Sequence, residues 1–164
     1  MILSFLLILK FLILNHPVKT LILYEGGSMK IVKATVGAIV HDDGKVLLEL
    51  RNHEPFKNCW CIPGGHIDFG EQVEESLCRE VKEETGLTVR EYRFFNYYTE
   101  YYKDLNWHAV ALVFLVKAEG EPVIQEKEVK EIRWFLREEI SPLPLAFEHR
   151  RILDDFFSMK DKME

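Results

Sequence analysis

The chain has 164 residues, 48% hydrophobic and 29% charged, with 21 Lys and Arg against 27 Asp and Glu for a net charge of −6. That length supports one domain with a substantial core and leaves no room for two. The acidic balance excludes the broad cationic face that a nucleic acid polymer or anionic lipid requires, so a phosphate-bearing ligand would need a metal ion or a local basic pocket.

Residues 2–14 are almost wholly apolar, interrupted by Ser4 and Lys10, and Asn15, His16 and Pro17 end the run. Spanning a bilayer takes roughly 20 apolar residues, so no stable membrane span is expected. Neither a basic start nor a small-residue cleavage site marks a secretory signal. Residues 1–28 are read as an apolar extension, either a peripheral anchor or sequence ahead of the functional start. Tyr24-Glu25-Gly26-Gly27-Ser28-Met29 is what a purine-rich ribosome-binding stretch yields when translated in frame. The domain is placed at 29–164. Three cysteines, with Cys59 and Cys61 one residue apart, make no disulfide framework and suit a reducing cytoplasm. Cys59, Cys61 and His66 match no standard zinc spacing.

In chain order, residues 31–40 are β-branched and apolar, His41-Asp42-Asp43-Gly44 signals a turn, and 45–51 form a second strand, which together predict a hairpin. After a polar loop with Pro55, a short strand over 60–62 ends at Pro63-Gly64-Gly65. Periodicity predicts a helix over 72–85 with Val73, Leu77 and Val81 facing the core and Gly86 as a left-handed cap. Long aromatic strands follow over 92–102 and 107–118, then a short strand over 131–136 and a closing amphipathic helix over 146–159. The mixed order, with strands outnumbering helices, predicts an α+β sandwich in which helices cover a mixed β-sheet.

Glu80, Glu83 and Glu84 fall at i, i+3 and i+4, on one arc of the predicted helix. Three like charges there repel, and a bound divalent cation removes the conflict. An oxygen-only cluster with no His or Cys on the same arc suits a hard ion such as Mg2+.

Gly65, five residues, Glu71, seven residues, then Arg79-Glu80-Val81-Lys82-Glu83-Glu84-Thr85-Gly86-Leu87 resembles a complete Nudix box. The preceding Trp60-Cys61-Ile62-Pro63-Gly64-Gly65 is similar to the usual lead-in. The resemblance implies a Nudix-type α/β/α sandwich with a catalytic loop-helix-loop. It implies a hydrolase of phosphoric anhydride bonds that cleaves a nucleoside diphosphate linked to another moiety and requires Mg2+ or Mn2+. Glu80, Glu83 and Glu84 would then be metal ligands, joined by the Gly65 carbonyl, with Arg79 orienting the carboxylates, and Glu71 and Gly86 as structural positions of the box. The general base is either Glu128, from its place before Trp134, or Glu84. Glu126 and Glu131 are read as solvated.

For the rest of the substrate, Phe94, Phe95, Tyr97, Tyr98, Tyr101, Tyr102 and Trp107 are stacking candidates, and strand alternation should send about half of them to the core. Tyr98, Tyr102 and a phosphate contact from Arg51 are taken as the substrate-binding set. Pro142, Pro144 and Leu145-Ala146-Phe147-Glu148-His149 resemble the C-terminal part of short members described as ADP-ribose pyrophosphatases, which favours ADP-ribose-like nucleotide sugars. The alternatives are a MutT-like hydrolase of nucleoside triphosphates, oxidised ones included, and a non-catalytic nucleotide-binding or regulatory module. The expected partner is a small nucleotide, and the resemblance also admits a homodimer.

Overall fold

The computed structural model describes residues 23–25, 28–124 and 127–162. The chain divides into two units after Val32. Of Met1–Val32 the structure describes an antiparallel ribbon of β1 (Leu23–Glu25) and β2 (Ser28–Lys30). The apolar run, read as an anchor or an over-long start, lies outside the described residues, and the boundary placed between 28 and 29 falls inside β2. Among the described residues no helix is long and apolar enough to cross a membrane.

In the second unit β3 (Lys33–Asp42) and β4 (Lys45–Arg51) form the expected hairpin. Asp43 and Gly44 take positive φ of 41° and 76° at the tip, as a tight two-residue turn demands. The strands pair only at His41 with Val46 and Asp42 with Lys45, and then part. β3 goes on to pair in parallel with β8 (Trp107–Glu119) and antiparallel with β6 (Gly64–His66), while β8 pairs with β7 (Thr88–Tyr102). β4 pairs antiparallel with β5 (Trp60–Cys61) and β9 (Val129–Phe135). The result is a forked, mixed seven-stranded sheet.

Helices cover both faces, and alternation along the strands decides which residue meets which helix. Val36, Ala38 and Val40 of β3 join Leu47, Phe114 and Val116 beneath Leu77 and Val81 of α1 (Val73–Thr85). Ile39, Val46, Leu48, Val113 and Leu115 point the other way, onto Ile152, Leu153, Phe156 and Phe157 of α3 (His149–Asp161). A short α2 (Arg137–Ile140) follows β9. This is the α/β/α layering expected for the α+β fold.

Some boundaries move for local reasons. The closing helix starts at His149 rather than 146, because the Ala146 N–H donates to the Trp60 carbonyl at 2.9 Å and Trp60 N–H donates to the Pro144 carbonyl at 2.8 Å, which keeps that segment extended beside β5. β7 begins at Thr88 because its pairing with β8 continues to Glu119. The three cysteines are free.

Candidate active site

Two glycines set the acidic helix against the sheet. At Gly64 (φ 152°) a Cβ would be driven into the Val36 carbonyl and would lie 2.9 Å from the Gly37 Cα, so β6 can lie this close to β3 only without a side chain there. The close approach aims the Gly64 N–H at α1, where it donates to Glu84 Oε2 at 2.7 Å. α1 starts with the Gln72 N–H donating to Glu75 at 3.0 Å. It ends at Gly86, φ 73°, whose N–H donates to the Lys82 carbonyl at 3.0 Å.

Arg79 grips the loop and the helix together. Its Nε and Nη2 donate to the two oxygens of Glu71 at 2.8 and 2.9 Å, Nη1 donates to Glu80 at 2.9 Å and Glu83 at 3.1 Å, and Nη2 also reaches the His66 carbonyl at 3.1 Å. A planar five-donor fork can do this, and an ammonium cannot. The Arg79 bonds, with a short bond from the Ser76 hydroxyl, hold the Glu71 carboxyl down at about 2. The same contacts raise the guanidinium further above its ordinary value.

Among the described residues no three carboxylate, imidazole or thiol groups are already drawn together as a ligand set. Arg79 engages Glu80 and Glu83, and the Gly64 amide engages Glu84. Three features nevertheless fit a hard cation at this edge. The donors are all oxygen. The missing Cβ of Gly65 leaves room for the Glu80 carboxylate, which that atom would overlap. Beneath the edge, Glu49 of β4 is 3% exposed, its Oε1 accepts from the Cys61 thiol at 3.3 Å, and among the described residues its buried Oε2 has no hydrogen-bond donor. Burial raises the Glu49 carboxyl, which lies beside Glu84 and Glu80. A nearby positive charge would relieve that cost.

The acidic edge opens into a cleft of about 590 Å3 in the fork between β3 and β4. Arg51 lines it, with Nε donating to the Pro55 carbonyl at 3.0 Å and the guanidinium 5.1 Å from the Phe147 ring centre. Glu128 stands at its edge, 3.1 Å from His53 Nε2. Tyr102 is half-buried, donates to Glu148 at 3.1 Å, and packs on Phe56 and Phe147 beside the cleft. Tyr98 is a correction. It does not line the cleft but is 2% exposed beneath α3, where its hydroxyl donates to Asp155 at 2.9 Å. Tyr98, Glu100 and Tyr102 share one face of β7, and α3 covers the Tyr98 end of it.

Sequence reasoning does not single out Glu49, Glu100 or Lys33, and names Phe147 and His149 only within the segment 145–149. A lone Glu inside Val-Leu-Leu-Glu-Leu was a legible signal for Glu49, since nothing apolar gains from a carboxyl in that strand. His149 is a pin. Its Nδ1 accepts from the Ile62 N–H at 3.1 Å, and burial lowers the imidazole to about 3, so it stays neutral and ties α3 to the segment leading into the glycines.

A loop-helix-loop that presents glutamates to a nucleotide-sized cleft defines a class of hydrolases acting on phosphoric anhydride bonds. Residues 32–156 match the NUDIX domain model, and the chain belongs to the Nudix family. It is similar to a protein of Methanocaldococcus jannaschii named ADP-ribose pyrophosphatase, with 35% identity over 127 residues that cover 77% of this chain and 73% of the relative. A MutT-like protein of Streptomyces ambofaciens is 31% identical over 74% of each chain. Among solved structures, a MutT Nudix hydrolase from Burkholderia pseudomallei superposes with a TM-score of 0.71 at 31% identity, covering 75% of this chain and 96% of that one. The Nudix domain of Shewanella oneidensis NrtR, determined with ADP ribose, shares the fold with a TM-score of 0.71 at 24% identity over 86% of this chain and 94% of that one.

Proposed function

We propose that this protein hydrolyses the pyrophosphate of a nucleoside diphosphate linked to a second moiety, with ADP-ribose-like nucleotide sugars as the favoured substrates, in the cytoplasm. The observation that carries the reading is one cleft that joins an acidic, oxygen-only edge to an aromatic wall, with the cations Lys33 and Arg51 along it. The similarity to a relative named ADP-ribose pyrophosphatase supports the same choice.

In this reading Glu80, Glu83 and Glu84, with the Gly65 carbonyl, hold Mg2+ or Mn2+. When bound, such an ion spreads the charge of the pyrophosphate and makes water a better nucleophile. The chain's own residues supply the rest. Arg79 fixes the carboxylates through its hold on Glu71, and the Gly64 amide aims Glu84. Lys33 and Arg51 attract the phosphates into a site whose surroundings are otherwise acidic. Glu128, at the cleft edge, takes the proton of the attacking water, with Glu84 as the competing base.

The test is product analysis with Mg2+ across ADP-ribose, diadenosine polyphosphates, and normal and oxidised nucleoside triphosphates. AMP with ribose 5-phosphate is the expected result. Pyrophosphate released from triphosphates, with ADP-ribose untouched, overturns the substrate assignment. No metal-dependent product from any of them overturns the enzymatic reading.

A further inference from the structure

Glu100 is a buried ionisable group of the cleft that this chemistry leaves unused. It projects from β7, is 3% exposed, and lines the same cleft as the acidic edge. Its Oε2 accepts from the Trp107 indole N–H at 3.0 Å. Burial pushes its carboxyl up to about 7, with Glu148 adding to the shift and the Trp107 bond and Arg51 opposing it. A carboxyl held this deep with one donor is costly to the fold unless a ligand completes its hydrogen bonds.

Its surroundings indicate what that ligand presents. Trp107 stands between Glu100 and the box, its ring centre 5.8 Å from that of His66 and 5.2 Å from that of Phe147, with the Lys33 ammonium 4.2 Å from its own. Phe147 holds φ at 48° and Phe56 at 63°, conformations that bulky residues adopt only when packing enforces them. Both rings are thereby brought together, 4.7 Å apart, next to Tyr102. Besides the acidic edge, the cleft is lined by Trp107 and Phe147, with Lys33 and Arg51 over their rings, and by this buried carboxyl. Aromatic faces suit a stacked base. A carboxyl repels phosphate and accepts from an amino group, and in its neutral form it also donates to a ring nitrogen beside that amino group. Adenine presents that pair as its 6-amino group and N1. Because the Trp107 N–H fixes Oε2 as an acceptor and leaves the proton to Oε1, hypoxanthine, with a carbonyl and an N–H in those two places, opposes acceptor to acceptor and donor to donor.

We propose that Glu100 is a specificity residue that hydrogen-bonds the amino-bearing edge of the substrate's nucleobase, taking adenine in preference to hypoxanthine while the base lies against Trp107 and Phe147. This rests on the nucleotide-hydrolase reading and names the part of the substrate that the far end of the cleft selects. Glu100 sits on β7 and bonds Trp107, not a residue assigned to the phosphate chemistry, so its role is tested separately from that chemistry.

The experiment compares ADP-ribose with its hypoxanthine counterpart as substrates, and AMP with IMP as ligands by titration calorimetry, in the wild type, Glu100→Leu and Glu100→Gln. The wild type should prefer adenine by about tenfold to a hundredfold, the range that leaving one buried donor or acceptor unpaired supplies. Glu100→Leu should lose that preference, with the loss falling on KM rather than kcat. Glu100→Gln keeps its carbonyl on the Trp107 N–H and places an amino donor where the acid has its O–H, so it should keep that preference. A merely structural role would lower both bases alike, so equal losses overturn the proposal, as does an unchanged ratio in Glu100→Leu. The wild-type AMP to IMP ratio needs no variant to fold, and a ratio near one is likewise fatal. If neither nucleotide sugar is hydrolysed, the proposed function fails, and the AMP and IMP affinities still decide the role of Glu100.

Discussion

Two adjacent glycines should fail in opposite ways when replaced by alanine. At Gly64 the added methyl meets backbone, the Val36 carbonyl and the Gly37 Cα at 2.9 Å, and φ is 152°. Neither neighbour can rotate away, so strain of about 1–3 kcal/mol adds to a displaced strand pair, for a loss of about 3 kcal/mol or more. With m near 1.5–2 kcal/mol/M in urea, the unfolding midpoint should drop by about 1.5–2 M. At Gly65 the atoms nearest the methyl all belong to the Glu80 carboxyl, 2.5 Å away at Cδ and 2.7 Å at Oε2. That group must retreat by about 1 Å to restore an ordinary contact, weakening its bond to Arg79. The lost bond is worth about 1 kcal/mol and is offset by the lower entropy of the unfolded alanine chain, so stability should change by no more than about 1 kcal/mol. A misplacement of about 1 Å at a reacting centre is worth about a hundredfold in rate. Urea titration and initial rates on ADP-ribose with Mg2+ test both variants together. The reasoning is wrong if Gly65→Ala keeps more than a third of wild-type activity, or if it loses stability as Gly64→Ala does.

Glu84→Gln keeps an acceptor for the Gly64 amide and should fold like the wild type while losing about a hundredfold or more in activity; equal turnover would remove Glu84 from the metal site. Arg79→Lys cannot span Glu71, Glu80 and Glu83 with one ammonium and should lower activity about 10- to 100-fold while raising the Mg2+ concentration at half-activation, and an unchanged metal titration would refute the orienting role. Stability should fall as pH drops from about 6.5 toward 3, because His149 stays neutral in the fold while the unfolded imidazole takes a proton. Glu71, ionised to about 2, adds a loss of the same sign below about 4.5. Glu100 acts oppositely, since its raised carboxyl costs stability as pH rises from about 4.5 to 7. Thermal melts of the wild type and His149→Gln, whose amide can still accept from Ile62, check the imidazole: the variant should flatten the acid limb, and two superimposable limbs would exclude it.

The elements most legible in the sequence were those whose local chemistry agrees with their surroundings. β4 matches its expected bounds, because an apolar run lies between a turn and Arg51. α1 was visible from its stripe, and Gly86 took the left-handed cap assigned to it. β6 escaped because Gly-Gly-His carries no strand pattern and becomes a strand only by pairing with Thr35–Gly37, a contact remote in sequence. The site divides in the same way. The glutamates of the box share one helix, so their spacing already places them on one arc. Glu49, Glu100 and Phe147 come from separate elements, and only the fold makes them neighbours. The alternation of β7 was readable, but what covers its inner face was not. α3 closes over Tyr98 and leaves Glu100 facing the cleft.

The early parting of β3 and β4 gives ligand binding a mechanical meaning. Two neighbouring strands that stay hydrogen-bonded resist being separated, whereas here the backbone leaves the walls of the cleft untied beyond the hairpin tip. A nucleotide touching Lys33 or Trp107 on one branch and Arg51 on the other supplies the missing crosslink. Occupancy should therefore slow amide exchange most at the open ends of the fork, turning two branches that breathe separately into one cooperative unit.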